Sequence, residues 1–117
     1  MPIKQRHTVI SLGEIAAGEY SDEIDASSFN EAILYVENTS GLNAKFTIEA
    51  NPAESGEAGE WYRFGTTGIP TQVKAGELLA FPIPLYAYSE YGCARRMRIE
   101  VKDTTATLWV ELIREIG

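Results

Sequence analysis

One cysteine and one histidine stand among the 117 residues, and these scarcities narrow the function more than any motif present. Cys93 has no second thiol, so no intrachain disulfide forms, and it reads as a small buried apolar residue. A reactive thiol would need a neighbouring base, whereas Arg95 and Arg96 offer only charge. A zinc centre wants three or four His, Cys or carboxylate ligands, and a Ser–His–Asp site would have to draw on His7, at the start of the chain. Neither is expected. Cations are also in short supply: 10 Lys and Arg face 17 Asp and Glu, for a net charge of −7. This opposes nucleic-acid binding, which needs basic surface to displace counterions. No apolar run is long enough to cross a bilayer, so no membrane partner is expected. The basic first residues, M-P-I-K-Q-R-H-T, lead into no apolar core with a small-residue cleavage site. No secretory signal peptide is therefore expected, and synthesis in a cytoplasm is the default. Gly56 and Gly59 lack the Lys-Ser/Thr that completes a phosphate loop.

What the chain does have is alternation of period two. Ala44, Phe46, Ile48 and Ala50 fall on one face of residues 44–50, and Lys45, Thr47 and Glu49 on the other. Met97, Ile99 and Val101 alternate in the same way with Arg98, Glu100 and Lys102. This is the pattern of half-buried strands. Residues 1–6 read as an extended N-terminal arm, and 7–117 as one domain of a size that can bury its own core. A first strand is expected over 7–12, a turn with a short helical piece over 14–18, and a polar strand over 20–25. Residues 26–30 read as a turn that tucks Phe29 inward. Residues 31–38 are apolar on both faces, which implies a central strand covered on each side. Gly41, in the link 39–43, suits a hairpin to the strand 44–51. Residues 52–60 form a polar acidic loop, 61–64 a short aromatic strand, and 71–75 a brief pairing segment. Pro82 and Pro84, two apart, delete donors on the same side of residues 77–85, which places that strand at a sheet edge. Residues 93–102 and 106–113 read as a closing hairpin. About seven to nine short strands without a long helix predict an all-β, single-domain antiparallel sandwich. Asn38-Thr39-Ser40 matches a glycosylation acceptor but reads as turn chemistry.

Catalytic groupings are sparse. Asp22, Glu23 and Asp25 match no calcium loop, lacking its turning glycine, and Glu54, Glu57 and Glu60 read as loop solvation. No catalytic residue, metal ligand or cofactor is expected, and the chain is not read as an enzyme. The candidate contact residues are Lys4 and Arg6 in the arm, the tyrosines Tyr86, Tyr88 and Tyr91, and the basic cluster Arg95, Arg96 and Arg98. Arg96 and Arg98 share a strand face, suited either to pairing with the acidic excess or to an acidic partner subunit. Trp61 reads as core. Its alternative, shared with Tyr62, is a platform for sugar rings in a carbohydrate-binding or adhesion module.

Three stretches carry a resemblance: residues 24–38, I-D-A-S-S-F-N-E-A-I-L-Y-V-E-N; residues 46–65, F-T-I-E-A-N-P-A-E-S-G-E-A-G-E-W-Y-R-F-G; and residues 96–112, R-M-R-I-E-V-K-D-T-T-A-T-L-W-V-E-L. Their order resembles the β-sandwich virion proteins of tailed phages, jelly-roll-like and similar in outline to discoidin-like domains. The resemblance implies a structural role in the virion: a capsid decoration or accessory subunit, or a small tail or fibre component. It implies partners among the other virion proteins, major capsid or tail subunits, and with copies of itself, a trimer favoured. It carries over no site residue. The extra first strand and basic arm depart from the pattern and suit a subunit that reaches onto a neighbour.

Overall fold

The computed structural model describes residues 4–53, 58–63, 72–85 and 95–116. Alternation becomes layering. Among the described residues nine strands form two antiparallel sheets, β1 (Lys4–Ile15), β2 (Ile24–Asp25), β3 (Glu31–Glu37), β4 (Ala44–Asn51), β5 (Tyr62–Arg63), β6 (Gln72–Val73), β7 (Leu78–Pro84), β8 (Arg96–Lys102) and β9 (Ala106–Ile116). The first sheet has the order β1-β9-β3-β7; the second has β2-β8-β4-β5, with β6 also on β4. Every connection except β4–β5 and β5–β6 crosses from one sheet to the other. That wrapping makes the sandwich jelly-roll-like.

The even-numbered residues of β4, Ala44, Phe46, Ile48 and Ala50, and the odd-numbered Met97, Ile99 and Val101 of β8 are all buried. They meet Ala32, Leu34 and Val36 of β3 and Leu108, Val110 and Leu112 of β9 in one core. Each full burial of a Leu, Ile, Val or Phe contributes about 1.5–3 kcal/mol. Phe46 of β4 stacks on Phe81 of β7 across the gap, 5.8 Å between ring centres. Phe29 packs half-buried against the same core, as its turn suggested.

Several expectations are corrected. The arm expected over residues 1–6 is, from Lys4 onward, part of β1. Lys4, Gln5 and Arg6 stand in register with Ile116, Glu115 and Arg114 of β9. Their polarity hid a strand held by backbone pairing. Residues 14–18 hold no helical turn: β1 runs on to Ile15 through a bulge at Gly13, whose φ is 74°, and the chain then turns at Gly18, φ 85°. The strand expected over 20–25 reduces to a bridge, Tyr20 to Glu100, and the two-residue β2. Between them the Ser21 hydroxyl takes the Ile99 N–H that a strand carbonyl would have accepted.

Neither expected hairpin forms. β3 and β4 lie in opposite sheets, as do β8 and β9, so their links are arches. Arch and hairpin give the same alternation; the corner residues decide. In the β8–β9 link, Asp103 adopts φ 75°. In the β3–β4 link, Asn38 is fully buried. Its Oδ1 accepts from Ser40 N (3.0 Å) and Ser40 Oγ (2.7 Å), and its Nδ2 donates to Leu42 O (2.7 Å) and Val73 O (3.3 Å). The glycosylation-like triplet is thus a satisfied corner. Asn51 at the end of β4 is also fully buried and its Oδ1 accepts from Ala53 N at 2.9 Å. A Cβ on Gly59 would stand 2.5 Å from that oxygen and 2.7 Å from Ala53 Cβ, so only glycine lets the chain close over this corner.

β7 sits at the edge of the first sheet, as the prolines required. β3 is central there, between β9 and β7, but no described element covers its outer face. Tyr35 lies half-buried on that face, stacked on Trp109 of β9 at 5.3 Å with the rings 5° from parallel.

Two predictions follow from the corners. Asn38→Ala removes the Nδ2 donor shared by the carbonyls of Leu42 and Val73 and the acceptor of Ser40, and should cost about 1–3 kcal/mol, read as a lower urea midpoint with an unchanged slope. Asp25 is held below the ordinary carboxylate value, chiefly by the Ser27 hydroxyl and also by the Ser27 N–H. A depressed pKa stabilises the fold above the unfolded value and is lost as pH falls through the folded one. Asp25→Asn should therefore lower the thermal midpoint at neutral pH, and the gap to wild type should close below about pH 4.

Candidate functional site

The outer face of the second sheet gathers the chain's most concentrated polar chemistry. Strand β8 points Arg96, Arg98, Glu100 and Lys102 outward, and β4 points Lys45, Thr47 and Glu49 the same way, with Asn51 at its end. The register sets Glu49 opposite Arg98 and Asn51 opposite Arg96. Arg98 Nε donates to Glu49 Oε1 at 2.7 Å. Its guanidinium carbon lies 4.2 Å from the Tyr20 ring centre and 4.2 Å from that of Trp61. Tyr20 arrives through its bridge to β8, and Trp61 through β5, which pairs with the far end of β4.

Arg96 is more deeply set. Its Nε donates to Ala53 O at 3.1 Å, and its Nη1 reaches Glu23 Oε1 at 3.2 Å. Its guanidinium also lies 5.4 Å from the Trp61 ring centre. Exposed ion pairs contribute little, and each cation–π contact adds roughly 0.5–1 kcal/mol. Here burial by aromatic rings strengthens both.

This changes the reading of the sequence candidates. Arg96 and Arg98 do share a face, where carboxylates and rings of the same chain engage them. Arg95 lies just before β8, exposed, with its N–H donating to Asn51 O at 3.1 Å. Trp61 is not core: it is half-buried on the outer face with Arg98 against its ring. Tyr62 is half-buried beside it and donates to Glu60 at 3.2 Å. His7 belongs to β1 and bonds Glu111 of β9 at 3.1 Å. Arg6 is exposed in β1. Lys4 is placed by its backbone in β1. Tyr86, Tyr88, Tyr91 and Cys93 lie outside the described residues.

Sequence reasoning missed one basic spot. Arg6 and Arg114 stand directly opposite in the β1–β9 ladder, both exposed. Neither forms an ion pair with a described acidic side chain. Only the ladder reveals it, since the two lie at opposite ends of the chain.

Chemically, the outer face offers contact and little reactivity. Glu49 and Glu23 are engaged by arginines, and the described residues bring no three His, Cys, Asp or Glu side chains together as a metal site. No helix among them is long and apolar enough to cross a membrane. Replacing Arg98 with Met should cost about 1–3 kcal/mol in urea unfolding, since it removes a charge-assisted hydrogen bond and two ring contacts. It should also shift the Trp fluorescence maximum, because the cation on the Trp61 ring is lost.

No protein-family model matches the chain, and no curated protein matches its sequence. Solved structures do match its fold. The SPBc2 prophage-derived protein YomS aligns over 97% of this chain and 97% of its own, with a TM-score of 0.63 at 11% identity. A structure of the infectious bursal disease virus Gx strain matches 97% of this chain but 34% of the viral chain, with a TM-score of 0.53 at 11% identity. The T13 particle of the same virus matches 95% of this chain and 31% of the viral one, with a TM-score of 0.56 at 10% identity. The chain therefore spans about a third of the viral chains and nearly all of the prophage protein. What it shares with them is the fold, an antiparallel jelly-roll-like sandwich.

Proposed function

We propose that this chain is a structural subunit of a phage-type virion, a capsid accessory or decoration protein acting through contacts between its copies and with neighbouring virion proteins. The observation that carries the reading is the end-to-end likeness to a prophage-derived protein, in which the sandwich alone accounts for nearly the whole of both chains. The polar chemistry supports it. The arginines and glutamates of the outer face are committed to one another and to aromatic rings, which builds a rigid surface more readily than a reactive pocket. The net charge of −7 disfavours close approach of copies unless their contact pairs opposite charges.

The reading places the protein in the finished particle. Particles banded on a density gradient from an induced lysogen carrying the gene should contain the chain at a fixed ratio to the major capsid subunit, measured by quantitative mass spectrometry. Its absence from banded particles, or a ratio that varies between preparations, overturns the assignment.

A further inference from the structure

The two outer faces of the sandwich differ in charge. On the first sheet, the ladders set the outward residues in rows across β1, β9, β3 and β7. Ser11, Trp109, Tyr35 and Ala80 form one row; Val9, Glu111, Ile33 and Pro82 form the next. No described element covers this apolar centre: Trp109, Tyr35 and Ile33 are half-buried, Ala80 and Pro82 are exposed, and Val9 is 64% exposed. The charges around it are carboxylates. Glu14 and Glu37 flank Thr107 in one bordering row, and Glu31 stands opposite Ile113 in the other. Glu111 bonds His7, whereas Glu14, Glu31 and Glu37 form no ion pair with a described cation. No Lys or Arg holds an outward position in the described strands of this sheet; Arg6 and Arg114 alternate to the other side, in step with the buried Leu112.

The second sheet is the reverse. Lys45, Arg63, Arg96, Arg98 and Lys102, half of the chain's 10 cations, point outward from it, beside Asp25, Glu49 and Glu100. Glutamates and rings engage Arg96 and Arg98. The lysines differ. Lys45 stands directly opposite Lys102, a like-charge pair that costs stability in a ladder. Lys45 is exposed and forms no ion pair with a described carboxylate, and Lys102 reaches Glu100 of its own strand at 3.6 Å. An incoming carboxylate relieves the pair.

Charge decides what can cover the first sheet. Its carboxylates disfavour nucleic acid and an anionic membrane, and they repel the same face of a second copy. A flat surface with a surplus of lysine suits it, and the chain's own second sheet is such a surface, placed in step with it. Glu37 and Lys45 flank the β3–β4 arch, and Lys102 and Thr107 flank the β8–β9 arch, so both charged rows lie at the same end of the sandwich. A second copy stacked without turning over brings the row of Glu14, Thr107 and Glu37 onto the Lys102–Lys45 pair. We infer that the outer face of the first sheet packs on the outer face of the second sheet of another copy, with these glutamates meeting these lysines. The Tyr35–Trp109 stack then lies towards Tyr20, which is 44% exposed beside Arg98. The inference rests on reading the chain as an assembly subunit and specifies how its copies meet. Because the contact joins unlike faces, it does not end at two copies; it repeats as a ring or an open stack.

Light scattering and sedimentation of the full chain over a micromolar concentration series test it. The wild-type mass should climb past that of a dimer, and the association should weaken as sodium chloride rises from about 0.05 M to about 0.5 M. Glu14→Gln with Glu37→Gln, and separately Lys45→Gln with Lys102→Gln, should each weaken it about tenfold. Both double variants should keep the circular dichroism spectrum, and neither should lower the urea midpoint. Mixed in equal amounts, the two variants should form a one-to-one pair that grows no further, because each retains the face the other lacks. Carbodiimide should cross-link Glu37 of one copy to Lys45 of another. A wild-type monomer at every concentration, an oligomer that stops at two, indifference to salt or to both variants, a mixture no better than its parts, or Glu37 cross-linked in particles only to a different protein overturns the inference. These failures are separable from those of the virion assignment. A monomer that still bands with particles removes the face-to-face contact alone, and a lysine-dependent assembly absent from particles removes the virion role alone.

Discussion

At nearly every connection the chain crosses between its two sheets, and each crossing carries backbone polar groups through or beside an apolar gap where they must find partners. The rest of the structure depends on meeting that demand at the corners. Asn38 does it most completely, using both amide hydrogens and accepting twice through its oxygen. In doing so it fixes the arch from β3 to β4 and ties it to β6 through Val73. At the other end of β4 the buried Asn51 accepts from Ala53 N through its Oδ1, and Gly59 lets the chain close over it. With the corners held, the two inner faces meet, and contacts such as Phe46 on Phe81 join the layers.

Fixing the wrap also fixes the edges. Because the first sheet is ordered β1-β9-β3-β7, its ends are the first long strand and the proline-bearing one. The prolines blunt one end, whereas the other keeps its full set of backbone donors. The outer faces divide the remaining work. On the second sheet, Arg98 between Tyr20 and Trp61 makes a stiff polar surface from residues that, exposed singly, would contribute little. On the first, Tyr35 and Trp109 stack over the middle of the sheet.

Much of this was legible in particular residues. The alternation at 44–50 and 97–102 named the buried faces correctly, because burial on one side of a strand needs only local periodicity. Pro82 and Pro84 placed β7 at an edge, because a missing donor is a local fact. Arg96 and Arg98 were correctly put on one face, but the sequence left open whether their charges were free. Glu49, Glu23, Tyr20 and Trp61, which occupy them, come from three other segments. The strand nature of Lys4 to Arg6 was hidden for a related reason: a polar edge is held by its neighbour's backbone, and that neighbour is the far end of the chain.

By itself, then, the sequence determined the class of fold, the faces of its long strands, the sheet edge closed by prolines and the turn chemistry of its asparagines. Each of these depends on the residue in question and its near neighbours. The tertiary structure alone decided that adjacent strands join opposite sheets, that carboxylates and rings from distant segments engage the outward-facing arginines, and that Arg6 meets Arg114 at an open edge. Those facts depend on which distant backbone a strand pairs with. Period-two alternation is the same for every such pairing that buries the same face.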